Sequence, residues 1–284
     1  MERSPAERVE RALGGVVVET TEPDGGMIGT VSRVDLDSGE TVVAKTSDHS
    51  LTTEGRMLRY LRAESDLPVP AVYHSGDDLL VLEYVAGEST ITPAVERDAA
   101  GHLASLHAVE GRGFGFPFDT LTGPVRQPNP WTDSWVEFYR EHRVGAVLSL
   151  ARDDGGMPCS LGTRVERASA NFERLLDEPD HPALLHGDVW RTNLLGNGER
   201  ITAFLDPACY YGHPEVELAY ADWTETFGDA FFDRYRIEGG TELGDGFWDR
   251  RRYVYRLYPL LVHAYLFGEP YHDELADTLD LLGF

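Results

Sequence analysis

Two kinds of hydrophobic spacing divide this sequence, and their order limits the folds open to it. From Gly15 onward three β-branched runs, VVVET, GTVSRVDL and TVVAKTS, alternate with the turn formers Pro23-Asp24-Gly25-Gly26 and Asp37-Ser38-Gly39, the pattern of a three-strand meander. An amphipathic helix over residues 1–14, with Val9, Leu13 and Ala6 or Ala12 on its apolar face, precedes them. LTTEGRMLRYLRAES then has helical spacing through Met57, Leu58 and Leu61, and DLLVLEYV, after a PVPAVYHSGDD loop, reads as one more strand. Beyond Gly87 the spacing is mainly helical: AVERDAAGHLASLHAV, SWVEFYREHRVGAVLSLA, TRVERASANFERLLDE and most of the last eighty residues. LLHGDVW and ITAFLD interrupt it as short strands bracketing a Gly196-Asn197-Gly198 turn. The expectation is an α+β chain of two lobes, residues 1–86 and 87–284, joined by a hinge at about 83–88. GRGFGFPFDTLTGPVRQPNP, residues 111–130, is a Gly/Pro-rich stretch too long for a simple connection, which points to function.

Composition removes whole classes of activity. With 25 basic and 49 acidic residues the net charge is 25 − 49 = −24, and among the basic residues only Lys45 is a lysine. Phosphate backbones and anionic lipid both require clustered cations, so nucleic acid and membrane surface are excluded as partners. No run of 18 or more apolar residues exists, and the N-terminal stretch is charged from its second residue. Two cysteines, Cys159 and Cys209, make neither a disulfide framework nor a metal site. A cytoplasmic location is expected. At 42 % hydrophobic the chain builds a real core, so its acidity belongs to the surface. Two accounts fit that surface: a very salty cytoplasm, in which screening removes the self-repulsion, or a GC-rich genome in which arginine displaces lysine.

The strongest chemical signal is His186-Gly187-Asp188, then Asn193, then Asp206-Pro207-Ala208. Phosphoryl transfer needs a carboxylate for the proton of the attacking hydroxyl and oxygen ligands for magnesium. Asp188 suits the first role, Asn193 and Asp206 the second. Four specified positions at ~5 % usage each recur by chance in roughly 0.002 chains of this length, although Asp and Asn also serve as ordinary turn and cap residues. An independent signal lies upstream. Lys45 ends a strand and Glu54 stands nine residues on, in the first turns of a helix, where a glutamate can hold a lysine against nucleotide phosphates. A lone strand lysine is ordinarily just solvated. Here the chain uses arginine everywhere else, and a planar fork does not replace a compact ammonium, so the one lysine reads as chemically required. Gly25, Gly26, Met27, Ile28 and Gly29 offer free backbone N–H groups for phosphate, although their spacing equally suits a plain hairpin turn. Where the strand leaves the β-rich lobe, the Glu83 carbonyl and the Val85 N–H could pair with adenine.

The order of Gly-rich turn, Lys45, Glu54, hinge, HGD with Asn193, and D-P-A resembles the protein-kinase-like fold in its aminoglycoside-phosphotransferase branch. It has a small antiparallel β lobe with one key helix and a larger, mainly helical lobe. More narrowly the chain resembles the fructosamine kinase (ketosamine-3-kinase) family. LLHGDVWRTN, DPACYYGHPEVELA and GFGFPFDTLTGPVRQPNPWTDSWVEFYREHR carry the likeness, which covers essentially the whole chain. The resemblance implies ATP-dependent, Mg2+-assisted phosphorylation of the 3-hydroxyl of a ketoamine, a deglycation repair step. Asp188 then matches the catalytic Asp, Asn193 and Asp206 the magnesium ligands, and Lys45 with Glu54 the phosphate-positioning pair. Glu217 matches the acidic residue that braces the catalytic loop, with His186 beside it. Trp190 matches a tryptophan suited to the apolar face of a sugar. Of Tyr210, Tyr211 and His213, one is expected to face substrate and the others to pack.

Two departures stand out. Arg191-Thr192 replaces a small residue and Gly before Asn193, and Gly29-Thr30 stands where relatives often carry Asn or Ser. The readings kept beside the main one are another small-molecule kinase (aminoglycoside, choline or homoserine type) and a non-catalytic ATP-binding protein. A protein kinase is disfavoured, since D-P-A replaces D-F-G and no A-P-E segment follows.

Overall fold

The computed structural model describes residues 4–21, 30–47 and 50–284. The Gly-rich turn at Gly25, Gly26, Met27, Ile28 and Gly29 lies outside the described residues. Helix α1 (Pro5–Leu13) opens on a capping box, in which Ser4 and Glu7 satisfy each other's backbone N–H, with Pro5 in the first turn. Strands β1 (Val17–Thr21), β2 (Thr30–Leu36) and β3 (Thr41–Thr46) form the expected meander. Helix α2 (Thr52–Glu64) follows, then β4 (Val72–Ser75) and β5 (Leu79–Glu83). The antiparallel sheet has the order β1-β2-β3-β5-β4. Strand β4 corrects the reading of residues 68–78 as a loop: its single strand-length run is short, half-buried and bulged against β5.

Alternation along the strands sorts side chains between two cores. Val42 and Ala44 of β3 and Leu79 and Val81 of β5 pack with Val9 of α1 on one face. Leu80 and Leu82 pack with Met57, Leu58 and Leu61 of α2 on the other. The period of two therefore turns Lys45, the neighbour of Ala44, towards α2. Each of the three buried α2 side chains contributes about 1.5–3 kcal/mol of hydrophobic transfer.

Beyond residue 87 the chain is mainly helical. Helix α3 (Pro93–His107) leads through a hairpin, β6 (Thr120–Thr122) and β7 (Val125–Gln127), to α4 (Trp135–Phe138) and α5 (Ala146–Asp153). Those two are joined by a π-helical segment, Tyr139–Gly145. Helices α6 (Cys159–Ser169) and α7 (Phe172–Leu175) precede β8 (Ala183–Leu185), β9 (Leu194–Gly196), β10 (Ile201–Phe204) and β11 (Tyr210–Gly212). Helices α8 (Pro214–Trp223), α9 (Asp229–Ile237), α10 (Arg252–Phe267) and α11 (Pro270–Leu282) complete the fold. The hairpin around Asn197 is built from β9 and β10, not from LLHGDVW as the pattern suggested. Strand β8 instead pairs antiparallel with β11, Leu185 opposite Tyr210. His186-Gly187-Asp188 is thus left free at a strand end, and the β9–β10 hairpin returns the chain beside it.

Candidate active site

The cation of the site comes from the sheet. Lys45 Nζ donates to Glu54 Oε1 at 2.8 Å and forms a second ion pair with Asp206, which lies 161 residues further along. Burial alone would lower the lysine pKa, but the two carboxylates outweigh it and the ammonium is held above its ordinary range. Burial pushes the Glu54 carboxyl up, against the pull of Lys45. Lys45 and Glu54 side chains are 16 % and 18 % exposed, so the pair is weakly screened and its geometry well defined.

The carboxylates come from the loops after β8 and β10. Gly187 has φ +86°, and a Cβ there would stand 2.2 Å from the Ala208 carbonyl oxygen. Only glycine allows the two loops to stack this closely. The stack is closed by the Ala208 N–H donating to the His186 carbonyl at 2.8 Å. Glu217, in the first turns of α8, accepts from the backbone N–H of His186 (3.3 Å) and Gly187 (2.5 Å). His107 Nε2 lies 2.9 Å from the same carboxylate, and its Nδ1 is 2.6 Å from the Tyr235 hydroxyl. Burial acts to raise the Glu217 pKa, but His107 and the loop N–H groups overcome it and keep the carboxylate ionised. His186 is fully buried and held neutral by desolvation; its ring Nδ1 accepts from the Asp188 N–H at 3.3 Å.

Asn193 closes the loop. Its Nδ2 donates to the Asp188 carbonyl (3.0 Å) and to Asp188 Oδ2 (2.9 Å), while its own carbonyl accepts from the Leu205 N–H at 2.8 Å. Asp188 and Asp206 are thereby fixed in one frame. Burial, with Asp206 and Glu217 adding to it, pushes the Asp188 carboxyl up to about 7, against hydrogen bonds from Tyr220 and Asn193. Asp206 itself has φ +53°, a left-handed conformation that non-glycine residues rarely hold and that strain at a functional loop can maintain. With the Asn193 NH2 engaged and Asp206 Oδ1 paired to Lys45, the Asn193 side-chain oxygen and the second Asp206 oxygen remain for a cation. This hard-oxygen set suits magnesium, which takes its remaining ligands from phosphate and water. No cluster of three or more His, Cys, Asp and Glu that could hold an ion occurs among the described residues.

A small cavity of about 40 Å³ opens beside Asp188, lined among others by Thr122, Tyr210, Tyr220, Tyr258, Val262 and His263. Tyr210 is buried, with the Arg143 guanidinium 3.9 Å from its ring centroid. Tyr211 faces elsewhere, its hydroxyl 3.1 Å from that of Tyr60. Trp190 is half-buried in the turn between Asp188 and Asn193. Of Tyr210, Tyr211 and His213, His213 is one that packs rather than facing the cavity. It is 5 % exposed, packs against Trp135 and Tyr255, and caps α8 by accepting the Glu215 N–H at 3.1 Å. Arg191 is exposed and donates to the Glu225 carbonyl at 3.3 Å. The Glu83 N–H donates to the Ala71 carbonyl (2.8 Å), and β5 ends at this residue, so Val85 begins the passage to the helical part.

Sequence reasoning missed His107, Tyr220, Gln127 and Arg143. His107 and Arg143 stand in helices where spacing marks a buried face but does not distinguish a polar member of it. Tyr220 follows Glu217 by three residues on α8, the one local hint that both face the same loop.

A small sheet with one buried helix, set on a helical body with this Lys, Glu, Asp, Asn and Asp constellation between them, is the protein-kinase-like fold. An aminoglycoside phosphotransferase shares it at 18 % identity, with TM-score 0.68 over 97 % of this chain and 95 % of that one. The chain matches the fructosamine kinase family profile over residues 3–282 and belongs to that family. A protein assigned as a ketoamine kinase in Vibrio cholerae is 32 % identical over 93 % of this chain and 92 % of its own. The chloroplastic protein-ribulosamine 3-kinase of Arabidopsis thaliana is 36 % identical over 63 % of this chain, and the match spans 54 % of that longer relative. The crystal structure of a protein assigned as a fructosamine-3-kinase from Thermobifida fusca superposes with TM-score 0.85 at 30 % identity, covering 97 % of both chains.

Proposed function

We propose that the protein is an ATP-dependent kinase that phosphorylates the 3-hydroxyl of ketoamines such as fructosamines or ribulosamines, a deglycation step in the cytoplasm. The observation that carries this reading is the Asp188 carboxylate, held by Asn193 and raised towards neutrality beside a cavity, within a family whose relatives are ketoamine and ribulosamine kinases. Residues 1–86 would bind the nucleotide, with the Gly25, Gly26, Met27 and Ile28 backbone over the phosphates and Glu83 and Val85 at the adenine. Residues 87–284 would supply catalysis and the acceptor site.

In this mechanism Lys45, oriented by Glu54, holds the α- and β-phosphates in line with the acceptor. Asp188 accepts the hydroxyl proton as the acceptor oxygen bonds to the γ-phosphorus and the bond to the β,γ-bridging oxygen breaks, releasing ADP. Asn193 and Asp206 would hold Mg2+, which neutralises phosphate charge when bound. Glu217 and His107 keep the loop carrying Asp188 from shifting. Trp190 and Tyr210 would shape the sugar site.

The −24 charge favours a neutral or cationic acceptor. A cell whose proteins are as lysine-poor as this one offers few lysine ketoamines, so small glycated amines and protein N-termini are the preferred acceptors in this reading. The deciding experiment offers fructosyl and ribulosyl amines, fructosyl-lysine peptides, choline, homoserine and aminoglycosides with ATP and Mg2+, and weighs the products. Phosphate gain on a ketoamine alone is expected. Phosphate gain only on another acceptor class would replace this reading with the small-molecule-kinase alternative, and strong preference for fructosyl-lysine peptides would overturn the acceptor preference.

A further inference from the structure

The stretch at residues 111–130 is unusually long for a connection, and two residues at the open end of its β6–β7 hairpin have different tasks. Gln127, opposite Thr120 in the hairpin, is 2 % exposed. Its Nε2 reaches the Thr120 hydroxyl (3.2 Å), the Leu121 carbonyl (3.2 Å) and the Ala208 carbonyl (3.1 Å). Its Oε1 accepts from the Tyr258 hydroxyl at 2.7 Å. Ala208 is two residues past Asp206, and its carbonyl is the same one that packs on Gly187. A buried amide with every polar atom engaged has one well-determined place, because moving it leaves desolvated groups unpaired.

Phe118 stands two residues before β6, on the strand facing Gln127. The Arg56 guanidinium of α2 covers its ring at 3.8 Å, and Tyr60 of α2 meets it edge-on at 6.4 Å. Phe116 packs on Tyr60 at 4.5 Å, and the Tyr60 hydroxyl reaches that of Tyr211. Arg56 and Tyr60 share a rigid helix with Glu54, so a slip of α2 against the hairpin would carry Glu54 off Lys45. At the hairpin tip, Thr122 lines the cavity beside Asp188. The hairpin is itself stiffened: Asn129 Nδ2 bonds to the Thr120 hydroxyl (2.8 Å) and the Phe118 carbonyl (3.1 Å), and Arg143 holds Asn129 Oδ1 at 2.7 Å.

We infer that the β6–β7 hairpin is the positioning element of the phosphate-transfer site, with Gln127 fixing the loop that bears Asp206 and Phe118 fixing, through α2, the Lys45–Glu54 pair. It is a constitutive strut: α2 and the Asp206 loop, which meet at Lys45, are set against one piece of structure. The inference rests on the kinase reading above, but it makes claims about nucleotide binding that do not need an acceptor.

Calorimetric titration of ATP over a series of Mg2+ concentrations tests it, alongside kcat and KM on a working ketoamine and the melting temperature. Gln127→Met should raise the Mg2+ needed for half-maximal ATP affinity at least fivefold and lower kcat at least tenfold, with the acceptor KM within twofold. Phe118→Ala should weaken ATP at least fivefold, and Phe118→Tyr should restore it to within twofold. Phe118 is only half-buried, so Phe118→Ala is expected to fold, and this pair carries the test if Gln127→Met does not. ATP affinity and Mg2+ dependence within twofold of wild type in folded variants would overturn the inference, even if the melting temperature fell. A fall in turnover expressed only through the acceptor KM would also overturn it, making the hairpin a wall of the acceptor site. If wild type binds ATP but phosphorylates no ketoamine, the function fails while the calorimetry still decides the hairpin.

Discussion

Lys45 is held by two carboxylates from different parts of the fold, Glu54 on α2 and Asp206 after β10. A guanidinium at this position keeps the charge but spreads it over a plane that does not fit between them. Lys45→Arg is therefore expected to lower kcat/KM at least tenfold while the melting temperature changes by only a few degrees; unchanged kinetics would remove Lys45 from the phosphate site. His213 makes a different prediction. Burial, helped by the Arg251, His107 and His181 charges, lowers its pKa to about 3, so the native state refuses a proton that the unfolded chain binds below its ordinary value near 6.5. The stability this confers is complete above pH 6.5 and declines as pH falls towards 3, by about 2 kcal/mol at pH 5. His213→Asn keeps an acceptor for the Glu215 N–H. Urea midpoints should therefore fall less steeply from pH 7.5 to pH 5 in the variant, and equal slopes would contradict the assignment. These residues also show what sequence can reveal. Lys45 and Asp188 were legible because composition and motif set them apart. His213 lies in the same motif, DPACYYGHPEVELA, as Tyr210, and nothing in one-dimensional order says that its ring turns inward to cap α8.

Helix α2 is the element on which the site depends, since one face carries Glu54 and another enters the core. Leu61 is fully buried there with Met57 and Leu58. Leu61→Ala should cost about 2–5 kcal/mol, measured by denaturant unfolding, and a cost below 1 kcal/mol would mean that α2 is not anchored by this face. The periodicities of α2, β2 and β3 are legible because their buried positions recur at the helical or strand spacing. Strand β4 was missed because it is four residues long and its apolar run is broken by a bulge. The β9–β10 hairpin was placed one strand too early because LLHGDVW and LLG are equally apolar, and only pairing with β11 decides which of them joins the turn. Within the Gly/Pro-rich stretch the sequence pointed to function but not to its form. The hairpin is fixed by Gln127, Asn129 and Arg143, whose partners lie as far as 131 residues away.

Over the whole molecule, acid exceeds base by 24 charges, so even complete pairing of the basic residues leaves most of that excess facing solvent. Many arginines are already paired, among them Arg152 with Glu166 and Arg251 with Glu215 at 2.5 Å. Self-repulsion of the remainder opposes the compact state and is relieved by screening, the Debye length falling from ~10 Å at 0.1 M salt to ~3 Å at 1 M. The melting temperature is expected to rise by about 10 °C or more between 0.05 M and 2 M KCl. A melting temperature indifferent to salt would favour the arginine-for-lysine bias of a GC-rich genome over adaptation to a salty cytoplasm. No helix among the described residues is long and apolar enough to cross a membrane.

The proposal that Asp188 takes the proton of a ketoamine hydroxyl, with Lys45 on the α- and β-phosphates and Asn193 and Asp206 on Mg2+, is decided by comparing wild type with Asp188→Asn. Steady-state turnover is measured on a fructosyl or ribulosyl amine with ATP and Mg2+, and ATP affinity is measured by calorimetry on the same preparations. Transfer of one phosphate to the sugar by wild type is expected, with loss of about 10²–10⁴-fold in kcat in the variant and ATP affinity within a few-fold. Turnover retained by Asp188→Asn, or no ATP consumed by wild type with any ketoamine, would contradict it.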